Sequence, residues 1–151
     1  MAGARLKLEH PYIEVTDSGI LEALERLQEL GGDMRTPFND VGAYLDRKTE
    51  ERFSAEAGPG GVPWLDVKPE TRKRKKHPKI LTETMRLRGS FAFEAREDEL
   101  VFGTNVGDYP AVHQFGGKHT PARPFLGLDG DDEAAIVEIF LDEVERVAKG
   151  G

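Results

Sequence analysis

An α+β domain, built as a small antiparallel sheet packed by two to four helices, is what this sequence predicts, and three patterns predict it. Phe91-Ala92-Phe93-Glu94-Ala95 alternates apolar and polar, Glu97-Asp98 supplies a turn, and Glu99-Leu100-Val101-Phe102 returns, which reads as a β-hairpin. Ile20, Leu24 and Leu27, together with Leu21 and Leu30, recur at helical spacing ahead of Gly31-Gly32. Ile136, Ile139, Phe140, Val144 and Val147 do the same near the far end of the chain. There Asp131, Asp132 and Glu133 crowd the first turn while Arg146 and Lys149 fall in the last, as the helix macrodipole favours.

The remaining elements follow in order. Arg5-Leu6-Lys7-Leu8-Glu9 alternates, and Ile13 and Val15 continue past His10-Pro11, so an edge strand is expected, because Pro11 removes a ladder donor. Asp17 or Ser18 caps the first helix. Thr36 is the expected N-cap of a second helix, with Pro37 at its first position, and Met34, Phe38, Val41 and Leu45 supply an apolar face. So short a link between the two helices predicts an N-terminal αα-hairpin. Residues 46–52 are all polar or charged, so this half of the helix is expected to be solvated or to face a partner, with Phe53 anchoring its end. Gly58-Pro59-Gly60-Gly61-Val62-Pro63 breaks the chain, and Trp64 beside such a turn is expected to plug the core. Ile80, Leu81, Thr84, Met85 and Leu87 suggest a short helix stopped by Gly89. Pro124-Phe125-Leu126 is expected to be a short extended piece, and Asp129 or Asp131 to cap the C-terminal helix.

With 151 residues the chain is read as one domain, 1–151, long enough to bury about two thirds of its surface. Hydrophobic residues at 38% and charged residues at 32% place it among polar but foldable globular chains. Having no Cys excludes disulfides and thiolate metal sites. No apolar run approaches the ~18 residues of a membrane span, and the first residues lack a signal-peptide core, so no membrane contact is expected.

The net charge of −7 argues against nonspecific nucleic-acid binding by the chain as a whole, but the charge is unevenly spread. Lys68, Arg72, Lys73, Arg74, Lys75, Lys76 and Lys79 stand against one acid, Glu70, giving +6 in residues 68–79 and −13 elsewhere. Residues 66–79 are therefore expected to form a flexible basic loop or arm, in contact with either a polyanion or an acidic protein surface.

Residues 103–128 carry five Gly and three Pro, yet also Tyr109, Val112, Phe115, Phe125, Leu126 and Leu128. A solvated linker would not hold so much apolar surface, so the stretch reads as irregular chain folded onto a core. Catalytic chemistry is weakly indicated. His113, His119 and Asp108 are a candidate metal set, but two Gly separate the histidines and the spacing is not that of paired helical ligands. Gly89-Ser90-Phe91 lacks the glycine pattern of a nucleophile elbow, and Gly58-Pro59-Gly60-Gly61 lacks the Lys-Ser/Thr of a phosphate loop. No catalytic residue, metal or cofactor is therefore expected. His113 and Gln114 can each donate and accept, and so can tie backbone groups in a glycine-rich turn. Arg123, held outside a helix by Pro124, is expected either to brace the chain locally or to pair with a carboxylate at an interface.

Tyr109, His113-Gln114-Phe115-Gly116-Gly117 and Ala122-Arg123-Pro124-Phe125-Leu126-Gly127 resemble the signature of the phage virion morphogenesis family, the tail completion proteins of Mu-like and related tailed phages. Phe53, Gly61, Pro63, Trp64, Thr71, Lys73, Ile80-Leu81 and Leu87 extend the match, while Pro110 stands where the family pattern has Ala. The resemblance implies a structural role without catalysis: a tail completion or neck protein that caps the tail tube and joins it to the head. It also implies a virion protein, assembled in the host cytoplasm as a cyclic homo-oligomer, a hexamer. The expected partners are tail-tube or tail-terminator and head–tail connector proteins, with DNA in the ring lumen a further candidate. Trp64, Tyr109, Phe115, Gly116, Pro124, Phe125 and Leu126 are then structural signature positions. Arg72, Lys73, Arg74, Lys75, Lys76, His113, Gln114 and Arg123 are candidate assembly contacts. The alternative is a nucleic-acid-binding accessory protein that uses residues 68–79.

Overall fold

The structure, a computed structural model, describes residues 5–9, 13–14, 18–31, 34–65, 73, 91–104, 114, 123 and 126–150, with the two N-terminal strands and Thr104 described by backbone alone. Four strands, β1 (Arg5–Glu9), β2 (Ile13–Glu14), β3 (Phe91–Ala95) and β4 (Glu99–Thr104), form one sheet in the order β2-β1-β4-β3. Three helices, α1 (Ser18–Glu29), α2 (Arg35–Ala55) and α3 (Gly130–Ala148), complete the α+β fold among the described residues.

The hairpin β3–β4 is antiparallel, with Phe93 opposite Phe102 and Ala95 opposite Leu100, and Arg96 N–H donates to the Glu99 carbonyl at 2.8 Å to close the turn. The pairing of β1 with β4 is parallel, Leu6 beside Leu100 and Leu8 beside Phe102. These two strands are separated by α1 and α2, so no tight turn obliges them to run antiparallel. β1 is also not the edge strand the sequence suggests. The chain reverses after Glu9, and β2 pairs with β1 (Lys7 opposite Glu14) and takes the outer position.

α2 lies across β3 and β4 and touches α3, while α1 packs chiefly against α3. Phe38, Val41, Leu45 and Phe53 bury one stripe of α2, and Ile136, Phe140 and Val144 one stripe of α3. Phe38 meets Phe140 edge-on with centroids 6.0 Å apart. A second aromatic chain runs from Trp64 to Phe53 at 5.3 Å, on to Phe91 at 5.9 Å, and then to Phe102 at 5.7 Å. The fully buried rings of Phe38, Phe53, Phe102 and Phe140 each contribute about 1.5–3 kcal/mol by burial alone, while Phe91 is half-buried. Trp64 is a core plug as expected.

Gly42 lets α2 approach the sheet this closely. A Cβ there would fall well inside van der Waals contact with the Phe93 ring, including the Cγ at its root.

Several local expectations are corrected. The N-cap of α2 is Met34, and Thr36 and Pro37 lie within the first turn, where the missing Pro N–H still needs no partner. Leu21 and Leu30 are exposed: the buried stripe of α1 is Ile20, Ala23, Leu24 and Leu27, Leu21 lies to one side of it, and Leu30 comes after the helix has ended at Glu29. Thr49 and Arg52 are buried within the polar half of α2, continuing the spacing of Val41 and Leu45. Leu126 lies in a bend and not in a strand. The expected helix around residues 80–87 falls outside the described residues.

Candidate functional site

Arg52 and Asp132 form the polar centre of the molecule. Arg52 sits on the buried stripe of α2, and Asp132 is the third residue of α3, fully buried. Arg52 Nη2 donates to Asp132 Oδ2, and Arg52 Nη1 donates to the Gly127 carbonyl at 3.1 Å. The Tyr44 hydroxyl, two turns earlier on α2, donates to Asp132 Oδ1 at 2.7 Å. Both carboxylate oxygens of Asp132 are therefore occupied, as a buried charge requires.

Asp129 closes the other side. It is the N-cap of α3 and forms a reciprocal capping box with Asp132: Asp132 N–H donates to Asp129 Oδ1 at 2.8 Å, and Asp129 N–H to Asp132 Oδ2 at 3.1 Å. Asp129 Oδ2 accepts from Gly60 N–H at 3.0 Å and lies 3.5 Å from Arg52 Nη2. Burial pushes the Asp129 carboxyl up, but the Gly60 and Asp132 N–H groups, with the Arg52 and Lys48 charges, outweigh it and hold it below the usual carboxylate range. The Tyr44 hydroxyl is pushed well above its ordinary value by burial and then by its bond to Asp132, so it stays a donor.

Two further side chains tie the C-terminal segment down. The Gln114 amide spans the backbone of Leu126: Nε2 donates to the Leu126 carbonyl at 2.6 Å, and Leu126 N–H donates to Oε1 at 2.9 Å. One amide thereby satisfies both backbone groups of a residue that has no ladder partner. Arg123 is buried, and its Nε donates to the Leu65 carbonyl at 2.7 Å. Together these contacts join three pieces of chain: α2, the loop 58–65, and the segment that leads into α3.

The loop itself is tightly specified. Glu56 at the end of α2 takes a left-handed φ of 56°, and its N–H returns to the Arg52 carbonyl. Gly58 N–H donates to the Val62 carbonyl at 2.9 Å, Gly61 N–H to Gly58 at 3.0 Å, and Trp64 N–H to Glu56 at 2.8 Å. Gly60 and Gly61 have φ of +81° and +75°, which side chains rarely adopt. A shallow cleft of about 220 Å³ lies here, between Lys48, Glu51, Arg52 and Asp129. Its charges are already engaged, Lys48 with Glu51 at 3.6 Å and Arg52 with the two aspartates.

Of the candidate assembly residues, Gln114 and Arg123 are buried and Lys73 is exposed. Of the signature residues, Trp64 and Leu126 are buried. Arg72, Arg74, Lys75, Lys76, His113, Tyr109, Phe115, Gly116, Pro124 and Phe125 lie outside the described residues, as do Asp108 and His119 of the candidate metal set. Among the described residues, no group of three or more metal-ligating side chains is arranged to hold an ion, and no helix is long and apolar enough to cross a membrane.

The Arg52–Asp132 pair escaped the sequence reading because its partners are 80 residues apart. Two signals pointed to it. Arg52 falls on the continuation of the apolar stripe of α2, and Asp129 and Asp132 have capping-box spacing. What this arrangement does chemically is hold backbone in place. Its donors and acceptors face one another.

The model of the phage virion morphogenesis family matches residues 15–145, a span that includes Tyr44, Arg52, Gln114, Arg123, Asp129 and Asp132. The chain is 33% identical over 138 residues to "Mu-like prophage FluMu G protein 2" of Haemophilus influenzae, covering 86% of this chain and 92% of that protein. It is 30% identical over 125 residues to "Tail completion protein S" of Escherichia phage P2, covering 71% of this chain and 81% of that protein. No solved structure matches it significantly.

Proposed function

The chain belongs to the phage virion morphogenesis family, and on that footing we propose that it is a tail completion protein that caps the tail tube and joins the tail to the head. The coarser statement, a structural part in phage tail assembly, comes with the family. The observation that carries the finer reading is the likeness to a protein named for tail completion, sustained over 71% of this chain. The use of the polar residues supports it. Gln114, Arg123, Arg52 and Asp132 are spent on fixing backbone, as a scaffold that must present one shape requires. No step of catalysis enters this reading.

In this proposal the protein works in the virion as a closed ring, a hexamer, between the tail tube or tail terminator on one side and the head–tail connector on the other. Residues 68–79 meet an acidic protein surface in preference to DNA. A collar gripping DNA with that much charge would resist its ejection. A phage carrying a stop codon in this gene tests the reading. Filled heads and full-length tails should both accumulate, unjoined, in electron micrographs, and supplied wild-type protein should restore infectious particles. Joined, infectious particles in the absence of the protein would contradict it.

A further inference from the structure

The sheet has two edges, and they differ. One is β2, two residues long. A strand that short offers little to another chain. The other is β3, five residues paired with β4 without a bulge, and its sequence Phe91-Ala92-Phe93-Glu94-Ala95 has neither Pro nor Lys to guard it. Arg96 N–H donates to the Glu99 carbonyl, so Arg96, Glu94 and Ala92 turn their backbone groups toward β4. By alternation Phe93 and Ala95 turn theirs outward. Among the described residues, nothing takes up the N–H and C=O groups of these two.

Burial is incomplete at the same edge. Phe91, Phe93 and Ala95 lie on the core face of the sheet, where α2 packs, yet each is only half-buried. Leu100 and Phe102 beside them on β4 are fully buried. β4 has a strand on both sides, and β3 has one on a single side. The opposite face of β3 carries Ala92 and Glu94, both exposed.

We infer that the free edge of β3 pairs with β3 of a second copy of this chain, antiparallel and centred on Phe93, so that one sheet runs through two molecules. The occupant follows from the sequence of the strand itself, which is complementary to its own reverse. In that register Phe93 meets Phe93, and their outward N–H and C=O groups exchange hydrogen bonds. On the core face Phe91 falls opposite Ala95 of the second copy, large beside small. On the outer face Glu94 falls opposite Ala92 of the second copy, which keeps the two carboxylates from facing each other. A parallel, in-register pairing would instead set Glu94 beside Glu94, and like charges disfavour it. The contact is two-fold and closes at two copies. It goes beyond the ring proposed above and does not rest on it, since it describes the protein free in solution.

The chain has no Cys, so cross-linking of the full chain reads the register directly. Ala92 and Glu94 of facing copies form a non-hydrogen-bonded pair, about 4.5 Å between Cα atoms and within disulfide reach. Ala92→Cys mixed with Glu94→Cys should therefore give an oxidised dimer that neither variant gives alone. In sedimentation, Ala92→Glu should weaken self-association about tenfold and Ala92→Lys should strengthen it, both most at low salt. Position 92 is exposed, so both variants should fold as wild type does. The amides of Phe93 and Ala95 should exchange quickly in dilute protein and slowly in concentrated protein. Four results would each overturn the pairing: a mixture that cross-links no better than the single variants, opposite charges at position 92 that act alike, a wild-type chain that stays monomeric up to its solubility limit, or Phe93 and Ala95 amides already protected in dilute protein.

Discussion

Asp132 is the residue on which most depends. It is fully buried, and its carboxylate receives Tyr44, Arg52 and the Asp129 N–H together. Asp132→Ala would leave the Arg52 guanidinium charged and buried, and would also undo the capping box. Breaking one side of a buried pair costs about 3–5 kcal/mol. Urea melts should show that loss, and the double variant Asp132→Ala with Arg52→Met should recover part of it, because the stranded charge is gone. A loss under about 1 kcal/mol would mean that water reaches the pair. Gly42 makes a sharper point about sign. Gly→Ala inside a helix is ordinarily favourable by ~1 kcal/mol. Here the added methyl meets the root of the Phe93 ring, which cannot swing clear without leaving its rotamer. Overpacking costs about 1–3 kcal/mol, so Gly42→Ala should lower stability in thermal melts.

The elements differ in how far the sequence exposes them. The β3–β4 hairpin, α1 and α3 are written in local pattern, and each appears where its periodicity places it. The cap of α3 is also local, since Asp129 and Asp132 are three residues apart. The parallel partnership of β1 with β4 is not local, because a strand's pattern does not say which neighbour it takes. Nor is the burial of Arg52, since a charged residue on a helix reads as solvated until its partner 80 residues away is known. Gln114 could be recognised as a residue able to tie backbone, but that Leu126 is what it ties belongs to the fold.

Acid should act on α3 first. Asp129 and Glu143 both hold their carboxyls low, Asp129 through backbone N–H groups and nearby cations that outweigh its burial, Glu143 through its bidentate pair with Arg146 at 2.7 and 2.6 Å. A depressed folded pKa gives stability that is complete above the unfolded values, about 3.9 and 4.3, and is lost as pH falls through the folded ones. Stability should therefore be level near neutrality and drop below about pH 4. Asp129→Asn should lower the neutral plateau and make that drop shallower. An unchanged acid slope in the variant would show that Asp129 does not carry the effect.

At the scale of the whole molecule, the small sheet and three helices of the described residues are held together by an apolar core and by buried polar contacts. The family supplies the setting, phage tail assembly, and the proposed place within it is the junction of tail and head. Electron cryomicroscopy of purified tails, with and without this protein, addresses that place directly. Tails assembled with the protein should carry a closed ring of it at the head-proximal end, and tails assembled without it should lack that ring and fail to take up heads. Density for the protein at the distal end, or tails that accept heads equally well without it, would contradict the account.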